Sequence, residues 1–413
     1  MKKKIAIIGS GIAGVSLIKA FTDLKEKNLS SSMKDVELAI TLIEKEANIF
    51  QTYKKNASGN PVAVIHYPVT KNAQYLKLCI FGQKKTKEWL LNLEKRYATI
   101  IYNTPGLIHI PKNIPEEQKW KDIFHKNAFY EKYFIDENFT KTLSSNLSLK
   151  IGLWDSSGIW LNPRKFMFFC LKDSLKKNHE NISVIYKTEI SGLECADKGV
   201  LLTGKKDGHP FCMSFDKVII ASGSGVKDIL DNSSFYRESS GKVILNDIPK
   251  MDISTGQMTK IYLDKNNSKS IPKFIFCKGG YVTPKINNCM YSGSTYESTV
   301  NNDPFIIKNN NLINLKRVEQ FIKTNIEKRF IKHRRSERCI SGDRMPLAGR
   351  VKSSKTNDVF LLTALGSRGF SYAPLLSEII AKEIFEDFGY SYLHKEESIF
   401  NDILRMVVPS RIV

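Results

Sequence analysis

The 413-residue sequence predicts an α/β fold in which a discontinuous dinucleotide-binding domain carries an inserted domain with a mixed or antiparallel sheet. Three observations predict it. A glycine-rich turn follows a short apolar strand near the N-terminus and opens a helix. Aromatic and β-branched segments broken by Gly, Pro and Asn fill residues 226–300. A strand, a glycine turn and a helix return the chain to α/β style at its end.

Residues 4–8 read as a fully apolar strand of a parallel sheet, 13–24 as a helix and 37–44 as the next strand. A polar run at 54–60 breaks the pattern, and 72–96 reads as a helix carrying Tyr75, Leu78, Phe81 and Trp89. Residues 182–186, 199–202 and 217–221 read as strands, the last running into a Ser-Gly-Ser-Gly turn at 222–225. Apolar residues at 315, 318, 322, 326 and 330 follow helical spacing, and 308–338 holds ten basic residues against three acidic. That reading is a basic helix ending beside Arg338. A strand at 359–363 and a helix at 373–388 close the chain. The expected division assigns 1–90, 150–225 and 336–413 to the cofactor domain, and 91–149 and 226–335 to a substrate domain.

The turn is Gly9-Ser10-Gly11-Ile12-Ala13-Gly14, in the strand-then-helix context that gives this pattern its meaning. The first glycine allows the tight turn, the second lets backbone approach a pyrophosphate, and the third lets helix and sheet pack closely. The phosphate then rests on free N–H groups at the helix start. Glu44 ends the second strand, where a carboxylate accepts hydrogen bonds from adenosine ribose hydroxyls. It lies 30 residues after Gly14, against about 20 in the common pattern, and the polar stretch 25–35 accounts for the excess as a surface insertion. The glycines alone allow NAD or FAD. An NAD enzyme continues with regular β-α repeats, whereas here a Lys-Lys-Asn-Ala-Ser-Gly-Asn loop follows at 54–60 and the fold closes only at the C-terminus, which points to FAD.

The seven cysteines are odd in number and scattered, with no CxxC pair and no metal-ligand spacing to histidine, so the expectation is a reduced, cytoplasmic chain without metal. The opening Met-Lys-Lys-Lys and apolar residues 5–8 are interrupted by glycine too soon for a signal peptide, and no apolar run reaches a membrane span. Sixty-three Lys plus Arg against 42 Asp plus Glu give a net charge of +21. Such a field favours a polyanionic partner. A composition in which lysine is the default solvated residue is the other reading of charge alone.

The motifs at 56–60 (Asn-Ala-Ser-Gly-Asn), 158–163 (Gly-Ile-Trp-Leu-Asn-Pro), 279–284 (Gly-Gly-Tyr-Val-Thr-Pro) and 293–296 (Gly-Ser-Thr-Tyr) resemble the D-amino-acid-oxidase superfamily of FAD enzymes. So do Arg338-Cys339-Ile340-Ser341-Gly342-Asp343-Arg344-Met345-Pro346 with the Leu-Ala-Gly after it, residues 366–370 with Ala373-Pro374, and Pro409-Ser410-Arg411. Within the superfamily these blocks are most similar to the oxidoreductase half of the bifunctional tRNA modification family MnmC. The resemblance implies a glycine-oxidase-like fold and FAD. It implies tRNA as partner, engaged at the anticodon loop, with the carboxymethyl group removed from 5-carboxymethylaminomethyl-(2-thio)uridine at the wobble position. The products would be 5-aminomethyl-(2-thio)uridine and glyoxylate. The bifunctional relatives carry a methyltransferase domain ahead of the oxidoreductase, and this sequence begins at the glycine turn, so the expected product stops at the aminomethyl stage unless a separate methyltransferase continues. A free amino-acid oxidase acting on glycine, sarcosine or a D-amino acid is the alternative, although a small zwitterion does not call for +21. A flavoprotein that only binds RNA is a third reading.

An N-substituted glycine must have its carboxylate fixed, and a planar guanidinium does this with paired hydrogen bonds. Arg338, eight residues before Pro346, matches the carboxylate-binding arginine of related glycine oxidases; otherwise it is one more cation in a basic run. Arg368 resembles a second pocket arginine, in a turn that would aim N–H groups and a helix start at the flavin. Tyr281 is a candidate hydroxyl for orienting the carboxylate or amine. Expected cofactor contacts are Gly9, Ser10, Gly11, Ile12, Ala13, Gly14 and Glu44, joined by Ser58, Asn60, Gly366, Ser367, Gly369 and Phe370. His66 and His109 receive no role, and Asp343 either orients Arg338 or stabilises its turn.

Overall fold

A computed structural model describes residues 2–28, 37–126, 128–131, 134–136, 151–195, 199–234, 248–263, 271, 273–298, 302–321, 331–352, 356–390 and 397–411. One six-stranded sheet runs in the order Leu347–Arg350, Val359–Thr363, Lys217–Ile220, Lys2–Ile8, Glu37–Ile43 and Ile182–Ile185, parallel except for its first member. The chain leaves Lys2–Ile8 to one side and returns on the other, so that strand is the switch point where a crevice opens at the strand ends.

Strand alternation divides the core. Ile5, Ile7, Leu38, Ile40, Leu42, Phe360 and Leu362 pack with the helices Ile12–Asn28, Ala73–Tyr97, Pro163–Asn178 and Gly369–Asp387. Ala6, Ile8, Val359 and Leu361 face the other way, onto the three-stranded meander of Thr188–Cys195, Val200–Lys206 and His209–Phe215 and the short helix Val226–Asp231. Side chains one residue apart therefore feed different layers, as a sheet covered on both faces requires.

The second large sheet has eight strands, in the order Ile331–Ser341, Met251–Tyr262, Cys289–Gly293, Tyr281–Val282, Ile275–Cys277, Leu107–His109, Ile151–Asp155 and Phe134–Asp136. All its pairs are antiparallel except Leu107–His109 with Ile275–Cys277. Among the described residues no helix is long and apolar enough to cross a membrane.

The basic helix expected up to Arg338 is corrected. A helix spans Pro304–Glu319, residues 322–330 lie outside the described set, and Ile331–Ser341 is a strand. Its register with Met251–Tyr262 runs from Ile331 opposite Ile261 to Ser341 opposite Met251. That partner supplies the backbone hydrogen bonds, and local periodicity could not see it. The arginines among the described cations of this run are engaged. Arg334 donates to the carbonyls of Tyr53, Lys54 and Asn56 and to Asn60 Oδ1 at 2.7–2.9 Å. Arg335 pairs with Glu297 at 2.8 Å, and buried Arg317 donates to Asn314 Oδ1 and the Gly279 carbonyl. Lys308, Lys316 and Lys332 are exposed.

Candidate active site

A cavity of about 1050 Å³ lies between the two large sheets and takes its walls from both. The glycine turn forms one wall. Gly9 has φ 101°, and a Cβ there would come within 2.8 Å of the Ala221 carbonyl oxygen. A Cβ on Gly11 would sit 3.2 Å from Ser58 Oγ, and one on Gly14 would overlap the Gly9 carbonyl oxygen. Residues 9–13, Glu44, Ser58, Asn60 and 366–370 all line the cavity, as do Tyr281, Arg338 and Arg368. Gly14 does not, because it stands behind the turn where helix and strand meet.

Several of these residues also hold one another. The Glu44 carboxylate is buried and accepts from Ser10 N–H at 2.8 Å, Ser10 Oγ–H at 2.6 Å and Glu46 N–H at 3.0 Å. Ser58 Oγ accepts from Ile12 N–H at 3.0 Å, which ties the 56–60 loop to the helix start. Asn60 is occupied by Arg334. Sequence reasoning noticed the turn at 222–225 without giving it a role. It sits at the end of Lys217–Ile220, lines the cavity, and contains Ser222, whose buried Oγ has no partner among the described residues. An orphaned donor costs about 1–3 kcal/mol unless a ligand answers it.

The opposite wall comes from the eight-stranded sheet. Arg338 is 6% exposed, with one Nη donating to the Ser294 hydroxyl and the other, Nη1, without a partner among the described residues. Gly256 makes room for it, since a Cβ there would overlap the guanidinium. The Tyr281 hydroxyl is 3.4 Å from the Val62 carbonyl, and burial pushes this phenol up. Arg368 Nη1 donates to the His66 carbonyl at 2.9 Å, and the helix Gly369–Asp387 begins at the cavity with no side chain capping its N-terminus. That end therefore presents free N–H groups and the positive end of the helix dipole.

Asp343 does not orient Arg338. It accepts from Arg411 at 2.8 and 3.0 Å and from Ser341 Oγ–H at 2.6 Å, so it closes the turn against the C-terminal segment. Burial works to raise this carboxyl, and Arg411, Ser341 and the Met345 N–H outweigh it and hold it down to about 2.

The two histidines without a role meet. His109 Nε2 lies 2.8 Å from His66 Nδ1, which also lies 3.0 Å from the Tyr67 carbonyl. One of the two facing nitrogens carries the proton and the other the lone pair, and the Tyr67 carbonyl, within reach of both rings, accepts from the protonated one. Burial holds both imidazoles below their ordinary value, His109 at about 3, and the nearby Arg368 guanidinium adds to it. Cys277 completes the group, with donor atoms of all three residues within 4.8 Å of one another. The expectation that no cysteine clusters with histidine is corrected: a loop and two paired strands bring together residues that lie 43 and 168 positions apart. Burial pushes the thiol up to about 12, so it keeps its proton. By donor type this is the place among the described residues where a soft metal ion could bind.

Residues 4–383 match the family DAO, FAD dependent oxidoreductase. The chain belongs to that family. It is 22% identical over 402 residues to the tRNA 5-methylaminomethyl-2-thiouridine biosynthesis bifunctional protein MnmC of Marinobacter nauticus, covering 92% of this chain and 55% of that protein. The protein of the same name from Hahella chejuensis is 23% identical over 405 residues, covering 92% and 56%. The chain spans about half the length of the curated relatives it matches. Among solved structures, glycine oxidase from Geobacillus kaustophilus superposes with a TM-score of 0.74 at 12% identity over 100% of this chain and 99% of that one. Iminodiacetate oxidase from Chelativorans sp. BNC1 gives 0.71 at 15% identity over 98% of each. These likenesses establish the fold. FAD is the cofactor of the family, and the cavity fits it: a glycine turn at a helix start, an orphaned Ser222 hydroxyl and a second open helix N-terminus.

Proposed function

We propose that the protein removes the carboxymethyl group from 5-carboxymethylaminomethyl-(2-thio)uridine at the tRNA wobble position, leaving the aminomethyl nucleoside and glyoxylate. The observation that carries this reading is Arg338, a buried guanidinium with an unanswered Nη1 in the wall of the cavity that also holds the glycine turn. A guanidinium so placed asks for a carboxylate. The relatives named for tRNA 5-methylaminomethyl-2-thiouridine biosynthesis support a tRNA-borne substrate, and the reading takes its reacting part to be a glycine attached through its nitrogen to the wobble uridine.

Residues 9–13, Glu44, Ser58, Asn60, Ser222 and residues 366–370 would hold FAD, which would supply the two-electron oxidation. Arg338 fixes the carboxylate and so sets which carbon faces the oxidant. Tyr281 orients the same group through its hydroxyl. Arg368 and the uncapped helix start bring positive potential to their end of the cavity. Across the N–CH2 bond the substrate loses two electrons and two protons; water adds to the resulting carbon–nitrogen double bond, which parts into amine and glyoxylate. The cofactor domain comprises 1–90, 150–225 and 336–413, the substrate domain the remainder. The compartment is the cytoplasm.

Mass spectrometry of nucleosides from carboxymethylaminomethyl-containing tRNA, before and after incubation with the FAD-loaded protein, tests this. The expected result is conversion to aminomethyluridine with one glyoxylate released per nucleoside. An unchanged nucleoside, with peroxide formed from glycine or sarcosine instead, would establish a free amino-acid oxidase.

A further inference from the structure

Beside the unanswered guanidinium stands an aromatic ring that the reaction chemistry does not use. Tyr296 is 60% exposed, lines the cavity, and lies with its ring 4.9 Å from the Arg338 Cζ. Leaving a large aromatic face in water forgoes burial that most tyrosines obtain. The backbone that carries it is nevertheless held on both sides. Thr295 exchanges hydrogen bonds with Gln257, its N–H to the Gln257 carbonyl at 3.1 Å and its hydroxyl accepting from Gln257 N–H at 2.9 Å. Glu297 pairs through its backbone with Thr255 at 2.8 and 2.9 Å, and its carboxylate is gripped by Arg335 and Asn310. A ring exposed on a fixed backbone is pre-organised, so little conformational entropy is lost when something stacks on it.

One side of that ring faces the Arg338 guanidinium, and its exposed surface is open to a ligand entering the cavity. Exposed Ile253 lines the same cavity. An anion site directly against an aromatic platform suits a substrate that joins a carboxylate to a planar group by a short link. Glycine or sarcosine would fill the first and leave the second empty.

We propose that Tyr296 is the stacking platform for the uracil base of the substrate and so the residue that distinguishes a nucleoside-borne glycine from a free one. This rests on the function proposed above and names the side chain that receives the base once it has left the anticodon stack. Stacking tolerates any base, so the platform supplies affinity, while Arg338 supplies the requirement for the carboxylate.

The test is binding rather than turnover, read by calorimetric titration of the FAD-loaded protein kept reduced and free of oxygen, so that neither ligand is oxidised. The ligands are 5-carboxymethylaminomethyluridine nucleoside and N-ethylglycine, which share the reacting group and differ in the base. The expected result is about tenfold or more tighter binding of the nucleoside, the size of one base stacked on an aromatic side chain. Tyr296→Ala should abolish that advantage, bringing the nucleoside's affinity down to that of N-ethylglycine in the same variant, while Tyr296→Phe and Tyr296→Trp should keep it. Equal affinity of the two ligands in the unaltered protein, or an advantage that survives Tyr296→Ala, would overturn the proposal. Failure of the functional reading registers separately, as wobble nucleoside left unconverted in the mass-spectrometric assay.

Discussion

The two walls of the cavity are built by opposite strategies. The glycine wall is built on one contiguous unit, a strand, a turn and a helix within residues 2–28, where Gly14 packs on Gly9 and Ala221, Ser222 and Ser58 press on the turn from outside. The arginine wall is assembled from places far apart in the chain, with Arg338 on Ile331–Ser341 and Ser294 and Tyr296 just past Cys289–Gly293, the two strands that flank Met251–Tyr262, and His66 and Arg368 reaching in from elsewhere. The first wall is a fixed cradle for a cofactor of constant shape. The second can change its substrate by single side chains without disturbing the cradle. Damage to the two should therefore separate into loss of flavin and loss of substrate.

The largest effect should follow from Gly14→Ala, because the added methyl has no space between helix and strand. Overpacking of this kind costs about 3 kcal/mol. Urea denaturation and the flavin-to-protein absorbance ratio should show a destabilised protein largely without FAD; normal flavin content would break the comparison at its first wall. Arg338→Met should do the converse, keeping full flavin while kcat/KM falls about 100- to 1000-fold, the loss of two charge-assisted hydrogen bonds. Steady-state kinetics on the modified tRNA reads it, and a loss below tenfold would remove Arg338 from its role.

A smaller effect belongs to the histidine pair, which both walls enclose. Its imidazoles are held below the ordinary value in the folded protein, so below about pH 6.5 the unfolded chain binds protons that the folded one refuses. The stability His109 contributes is complete above that pH and declines as pH falls towards about 3, by about 2 kcal/mol between pH 6.5 and 5. His66 acts in the same direction. Urea titrations at pH 7 and 5 should show a shallower dependence in His109→Gln, and an unchanged slope would mean the pair is not held neutral.

How much was legible follows the same division. The first strand–turn–helix unit, the strand Val359–Thr363 and the glycine turn at Gly366–Arg368 stand where their patterns put them, since local periodicity and glycine stereochemistry suffice for buried parallel strands and helix starts. The stretch before Arg338 misled because ten cations at mixed spacing satisfy helical and extended readings alike, and the choice was made by pairing with Met251–Tyr262. Nor are its charges all turned to solvent: Arg334 and Arg335 are fasteners that close the 53–60 loop and the 297 segment. Asp343 was assigned between two roles and took the turn, because its arginine is Arg411. The meeting of His66, His109 and Cys277 left no trace in spacing at all.

The sequence by itself determined the α/β class, the dinucleotide cradle and the family blocks, because each depends on residues within one or two turns of one another. The tertiary structure decided which cations are structural, which arginine is left unanswered in the cavity, and that Tyr296 stands exposed above it. Those facts depend on desolvation and on partners brought from other strands, and neither exists until the sheets have closed around the cavity.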